Sequence, residues 1–214
     1  MPAYPVHYSV VPSGPFSRLQ LLVRLIAFVA LGTLGVSFSA IFCFAYLVLP
    51  AYAASRLSTA PDRYVREDGP RVLSVLRWFA AISAWTGLVV DQLPARSPGE
   101  TIRLEVEATA PATAGAVLFR VITGLPSAIV LGLLGWIGLL VWMWGALTIL
   151  LGGRIGEGAL GYLTGLQRWS VRLLTYQAGL ANDYPPFSFD EPPASRPRTP
   201  ARPASANAVS IHRA

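Results

Sequence analysis

Two long runs without a single charge constrain this chain more than any other feature. They are Leu25–Leu49 and Val121–Leu151. A helix needs about 20 apolar residues to cross the hydrocarbon core of a bilayer, and both runs exceed that. Each begins directly after an arginine, Arg24 or Arg120, and Arg56 or Arg154 follows. Trp136, Trp142 and Trp144 add the aromatic bulk found at membrane interfaces. A soluble core helix is seldom this long and apolar on every face, so each run is expected to be one long membrane helix. Composition agrees: 53% of residues are hydrophobic and 13% charged, against about a quarter charged in a soluble domain. That balance excludes a disordered chain and argues against a soluble globular enzyme. Ala51-Tyr52-Ala53 has the small-x-small form of a signal cleavage site. The run before it is too long for a signal core of about 7–15 residues, so it is expected to stay in the mature protein.

The 17 basic residues are all arginine, and the net charge is +6. Arginine used to the exclusion of lysine is expected of a GC-rich bacterial genome. The arginines flank apolar runs, where anionic headgroups and the positive-inside bias account for them. A nucleic-acid partner would call for clustering on one surface, so none is expected. Cys43, the single cysteine, excludes an intramolecular disulfide and reads as a small buried hydrophobe.

The chain repeats itself once. Val6–Val10 and Ile102–Val106 both alternate apolar and polar residues, as short half-buried strands do. Val6/Ile102, Tyr8/Leu104, Val10/Val106, Arg24/Arg120 and Ile26/Ile122 all lie 96 residues apart. Further on, Arg56 matches Arg154, Arg77-Trp78 matches Arg168-Trp169, and Trp85 matches Tyr176. Asp91-x-x-Pro94 matches Asp183-x-x-Pro186. Each unit therefore reads as strand, long membrane helix, Arg-containing loop, second helix and Asp-x-x-Pro stop. The first repeat covers residues 1–95 and the second 99–189. The loop Ser55–Pro70 reads as a solvated connector.

The second helix of the second unit is expected over Gly158–Asn182, stopped by Pro185-Pro186. Its polar stripe, which includes Glu157, Thr164, Arg168, Arg172 and Thr175, is narrow. An interfacial helix carries a broad charged face, so a place inside a bundle fits better. Its counterpart, Arg71–Val90, is more apolar. If each unit crossed once, the two strands would lie on opposite sides and could not pair; two-helix hairpins bring them together. This predicts an all-α membrane protein, a four-helix membrane bundle with a small two-stranded extramembrane β element. The alternative is two spans with two surface helices. Gly138, Gly145 and Gly152, with the pairs Ala128/Gly132 and Gly161/Gly165, read as close helix packing.

Other motifs carry little chemistry. Gly156–Gly161 matches G-x-G-x-x-G, but a dinucleotide site needs a preceding strand, and a membrane helix stands there. His7 and His212 have no partners at ligand spacing, and no nucleophile–base–acid set is visible. Glu105 and Glu107 read as the wet face of an edge strand. Arg77, Asp91, Arg168, Arg172 and Asp183 are the candidate site residues: a charge at membrane depth costs about 2.5–3.5 kcal/mol. They suit a structural ion pair, or a site for an anionic headgroup or partner helix. Residues 190–214 are rich in Pro, Ala, Ser and Arg and read as a disordered tail.

Gly153-Arg154, Gly158, Tyr162, Gly165, Arg168-Trp169, Arg172, Tyr176 and the Asp183–Phe187 ending resemble the bacterial membrane proteins of domain of unknown function family 4389. The resemblance covers about residues 117–189. Asp183 abuts Tyr184, where that pattern has a spacer. The first unit keeps Arg77-Trp78 and Asp91 but lacks the aromatic-Pro-Pro-Phe ending, so the chain looks like a tandem pair with the first copy eroded. The resemblance implies a bacterial cytoplasmic (inner) membrane protein, and implies no activity, cofactor or catalytic residue. The expected function is a non-enzymatic accessory or scaffold subunit. Its partners would be the lipid bilayer and a membrane protein or a second copy of itself. A small transporter or channel is the alternative.

Overall fold

The computed structural model describes residues 4–11, 14–34, 37–107 and 112–190, with Phe38 described by its backbone alone. Neither apolar run forms one straight helix. The first is divided between α1 (Arg18–Thr33) and α2 (Phe38–Thr59). Ser37 starts α2 afresh: its hydroxyl accepts from the Ala40 amide at 3.1 Å, satisfying one of the orphan donors at a helix start. The second run is divided between α5 (Ala114–Thr123) and α6 (Leu125–Gly152). Pro126 is the cause there. It has no N–H to continue α5, and its fixed φ suits the first turn of a new helix.

The expected solvated connector is instead a built part of the fold. After α2 come a short helix α3 (Pro61–Arg63), a π-helical turn (Tyr64–Asp68) and α4 (Gly69–Thr86). Tyr64 and Asp68 are each 1% exposed. The Tyr64 hydroxyl donates to the Ala178 carbonyl. Arg56 Nε donates to Asp68 at 2.8 Å, and Arg71 lies 3.7 Å away. Helix α7 (Glu157–Gln177) stops short of Asn182 and well before Pro185-Pro186. It ends where Gly179 takes a left-handed φ of 72°. Leu88 does the same after α4, with φ 59°. In both places the next amide reaches back into the helix: Val89 to the Ala84 carbonyl at 2.9 Å, Leu180 to the Thr175 carbonyl at 3.2 Å. These bonds satisfy carbonyls that a helix end leaves open.

β1 (Val6–Val10) and β2 (Ile102–Val106) pair antiparallel, with Tyr8 facing Leu104. Val6, Tyr8, Ile102 and Leu104 point inward and are buried. α4 and α7 lie beneath the sheet, tied together by buried Gln167, whose Nε2 donates to the Ala80 carbonyl at 2.6 Å and the Ser83 hydroxyl at 2.7 Å. On their far side run the apolar helices, crossed antiparallel. α2 packs on α5, with the Tyr46 hydroxyl donating to the Val121 carbonyl at 2.7 Å. α1 packs on α6, with Arg18 reaching the Leu151 carbonyl at 3.2 Å and Phe28 edge-on to Trp142.

The fold is thus mostly helical with one small sheet. Two helices, Ser39–Thr59 and Leu125–Gly152, are long and apolar enough to cross a membrane, where four had been expected. α4 and α7 fall out of that set because their arginines and other polar side chains lower their mean hydropathy. The outward surface is strongly apolar: Leu22, Ile26, Phe44, Leu47, Leu133, Trp136, Leu140 and Leu151 are all exposed. Cys43 lies on that surface too, not in the core. The small residues are of two kinds. A Cβ added at Gly138 or Gly145 would meet a neighbouring side chain at 2.9 Å, whereas Gly132, Gly152 and Gly161 face open space.

Candidate functional site

Arg24 and Arg120, read from sequence as headgroup anchors, are buried and hold the ends of α4 and α7. Arg24 Nη2 donates to the Val90 carbonyl at 2.6 Å and the Asp91 carbonyl at 2.7 Å. It also lies 3.6 Å from the Asp91 carboxylate, and the Trp85 ring covers it at 5.3 Å. Arg120 repeats the arrangement. Nη1 donates to the Tyr176 and Ala181 carbonyls at 2.7 and 2.8 Å, Nη2 to the Asn182 side chain at 2.6 Å, and the Tyr176 ring lies 4.6 Å away. The Tyr176 carbonyl lies in the last turn of α7, where a helix end carries partial negative charge, so the buried Arg120 cation is well placed there; Arg24 meets carbonyls just beyond the end of α4. The aromatic face adds cation–π attraction.

Arg77 and Arg168 hold the sheet. Arg77 Nε donates to the Leu104 carbonyl at 3.0 Å, and Arg168 Nε donates to the Tyr8 carbonyl at 3.3 Å. Those two carbonyls belong to the facing pair of the sheet. Each arginine therefore reaches from one half of the chain to the strand of the other.

The residues after α7 form a strap that folds back along it. Arg168 Nη1 donates to the Phe189 carbonyl; Arg172 donates to the carbonyls of Ser188 at 3.2 Å and Asp190 at 2.8 Å. The strap's rings pack edge-on against α7. Tyr184 meets Tyr176 at 5.7 Å, Phe187 meets Trp169 at 5.2 Å, and Phe189 meets Tyr162 at 5.4 Å. Gly165 makes room: a Cβ there would lie 2.6 Å from the Phe189 side chain. The Tyr184 hydroxyl shares a 2.7 Å hydrogen bond with Ser127 of α6.

Of the five sequence candidates, Arg168 and Arg172 share the strap, while Arg77 stands apart on α4. Asp91 accepts from the Ser17 amide at 3.1 Å and pairs with Arg24. Asp183 is exposed and forms no ion pair among the described residues. Its sequence match to Asp91 is off by one. The contacts pair Asp91 with Asn182, which keeps the same 91-residue spacing as Arg77/Arg168 and Trp85/Tyr176. Sequence reasoning missed Arg24, Arg120 and Asn182. Their signal was present, since both arginines fall at the same place in the two units, but an arginine beside an apolar run also suits a headgroup.

No group of His, Cys, Asp or Glu suited to a metal occurs among the described residues. Gly156–Gly161 follows a helix, as the sequence reading required, and Glu105 and Glu107 are exposed on the outer face of the sheet. A cleft of about 220 Å³ opens beside Arg77, smaller than the ~300–1,000 Å³ of a small-molecule pocket.

Residues 115–188 match the family described as Domain of unknown function (DUF4389). The match spans α5, α6, α7 and the strap as far as Ser188. No curated protein and no solved structure matches the chain.

Proposed function

We propose that this chain is a non-enzymatic scaffold of the bacterial cytoplasmic membrane, multi-pass and built from two tandem copies of one strand–helix–helix unit. It binds lipid and partner proteins on its surface. The observation that carries this reading is the continuous apolar exterior of α1, α2, α5 and α6. Trp136 is 73% exposed and Leu151 72%. A surface that apolar and that extensive marks a membrane or protein interface. The matching contacts made by Arg24 and by Arg120, and those made by Arg77 and by Arg168, support the two-copy reading. Because β1 pairs with β2, an even number of crossings separates them. α1, only 16 residues but apolar on its outer face, supplies a return path beside α2.

Cys43 gives the test. In intact membranes a charged maleimide should leave it unlabelled, labelling should appear after solubilisation and unfolding, and alkaline carbonate should leave the protein in the pellet. Rapid labelling of Cys43 in intact membranes, or release by carbonate, rejects the membrane reading.

A further inference from the structure

Arg77 and Arg168 bind opposite strands in the same way but differ at their tips. On Arg168 a terminal nitrogen is taken by the Phe189 carbonyl of the strap. On Arg77 only Nε is engaged, and its two terminal nitrogens have no partner among the described residues. The first half lacks the strap, and the peptide seat is also gone. Ser74 stands where α7 has Gly165, closing the space the Phe189 ring needs, and Ala81 stands where α7 has Arg172. What remains open is a guanidinium that calls for an oxygen acceptor. Beside it lies the ~220 Å³ cleft, walled by Tyr64, Val65, Leu73, Val106 and Leu180. No carboxylate among the described residues lines it. Trp78, next to Arg77, is 36% exposed, whereas its counterpart Trp169 is 3% exposed under the strap.

We infer that Arg77 and this cleft bind the headgroup phosphate of an anionic phospholipid, whose oxygen takes the position the Phe189 carbonyl holds on Arg168. The guanidinium fork matches a phosphate with two parallel hydrogen bonds. The cleft is too small for a whole lipid and admits the phosphate and the first carbons of a chain. Trp78 fits the level where indole rings settle, between headgroup and hydrocarbon. The inference rests on the bilayer placement proposed above and names the lipid class and the residue that recognises it.

The full chain, stripped of lipid in a nonionic detergent, is titrated with phosphatidylglycerol, phosphatidylcholine or inorganic phosphate and read by native mass spectrometry. One phosphatidylglycerol should be retained in preference to phosphatidylcholine, and Arg77→Gln should weaken it about fivefold or more. Arg77→Gln also shortens the arm that holds β2. Val65→Trp, which fills the cleft and leaves Arg77 in place, is therefore the second variant, and it should lose the lipid too. Equal binding of the two lipids, or unchanged binding in either folded variant, overturns the inference. So does displacement by inorganic phosphate at concentrations equal to the lipid, which would make this a free-anion site. Displacement by a peptide of residues 183–190 would make the cleft a seat for a strap-like peptide and likewise overturn it. If Cys43 stays protected while these variants bind normally, this inference alone fails.

Discussion

Asp91 meets Arg24 with a carboxylate, whereas Asn182 meets Arg120 with a neutral amide oxygen at 2.6 Å. Since the second half works without the charge, Asp91→Asn should cost less than about 1 kcal/mol, the scale of one ordinary hydrogen bond. Arg24→Ala strands the Val90 and Asp91 carbonyls and the Asp91 carboxylate together and should cost about 3–5 kcal/mol. Thermal melts of the two variants in detergent separate these outcomes; equal losses would show that the ion pair, and not the carbonyl contacts, dominates. Gly165 offers a second contrast. Gly165→Ala drives a methyl into Phe189 and should destabilise by about 1–3 kcal/mol. Gly161→Ala, four residues away in open space, should be neutral or stabilise by up to about 1 kcal/mol through helix propensity. A fall in melting temperature for Gly161→Ala equal to that of Gly165→Ala would count against the strap as the cause.

At the scale of elements, the turn Tyr64–Asp68 titrates. The hydrogen bond from Arg56, with the nearby Arg71 charge, holds the Asp68 carboxyl below the usual aspartate range. A group with a depressed folded pKa stabilises the fold fully above its unfolded pKa, and that contribution is lost as pH falls through the folded value. Stability measured downward from pH 6 should therefore drop on the acid side, and Asp68→Asn should flatten that drop while lowering stability at neutral pH. An unchanged acid limb in Asp68→Asn would remove Asp68 from the account. This turn also shows where sequence reading stops. Ser55–Pro70 is polar enough to pass for solvent loop, and nothing local says that Tyr64 finds the Ala178 carbonyl across the fold. Both strands and their pairing were legible, because period-two alternation survives over five residues. The breaks in the long helices were half legible. Pro126 announces one, but Ser37 sits in a run whose hydrophobicity hides its capping role. Gly179 is a usual left-handed helix stop, whereas Leu88 takes the same conformation without any such mark. Of the site, the Arg-Trp pairs and the strap were visible as motifs. The roles of Arg24 and Arg120 were not, since burial inside protein and burial under headgroups look alike in one dimension.

For the whole molecule, under the proposed membrane placement, the paired strands limit how the chain can thread a bilayer. In a Cys43→Ser background, single cysteines at Ser9 and at Glu105 should react from the same side of the membrane with an impermeant reagent. Labelling from opposite sides would mean that the strands do not pair in the membrane and that each half crosses once. The pairing has one more consequence. Positions 96 apart match, yet the strands run antiparallel, so Tyr8 and Leu104 are the one matched pair that also face each other. Every other residue looks across at something different from its own twin. Under the two-copy proposal, an ancestor of two identical chains would have met any mutation at that crossing point with its own copy, its cost felt twice over in one place. Two halves in a single chain are released from that echo. A ring here sits opposite an aliphatic side chain, an asymmetry that a self-paired arrangement could not reach in one step.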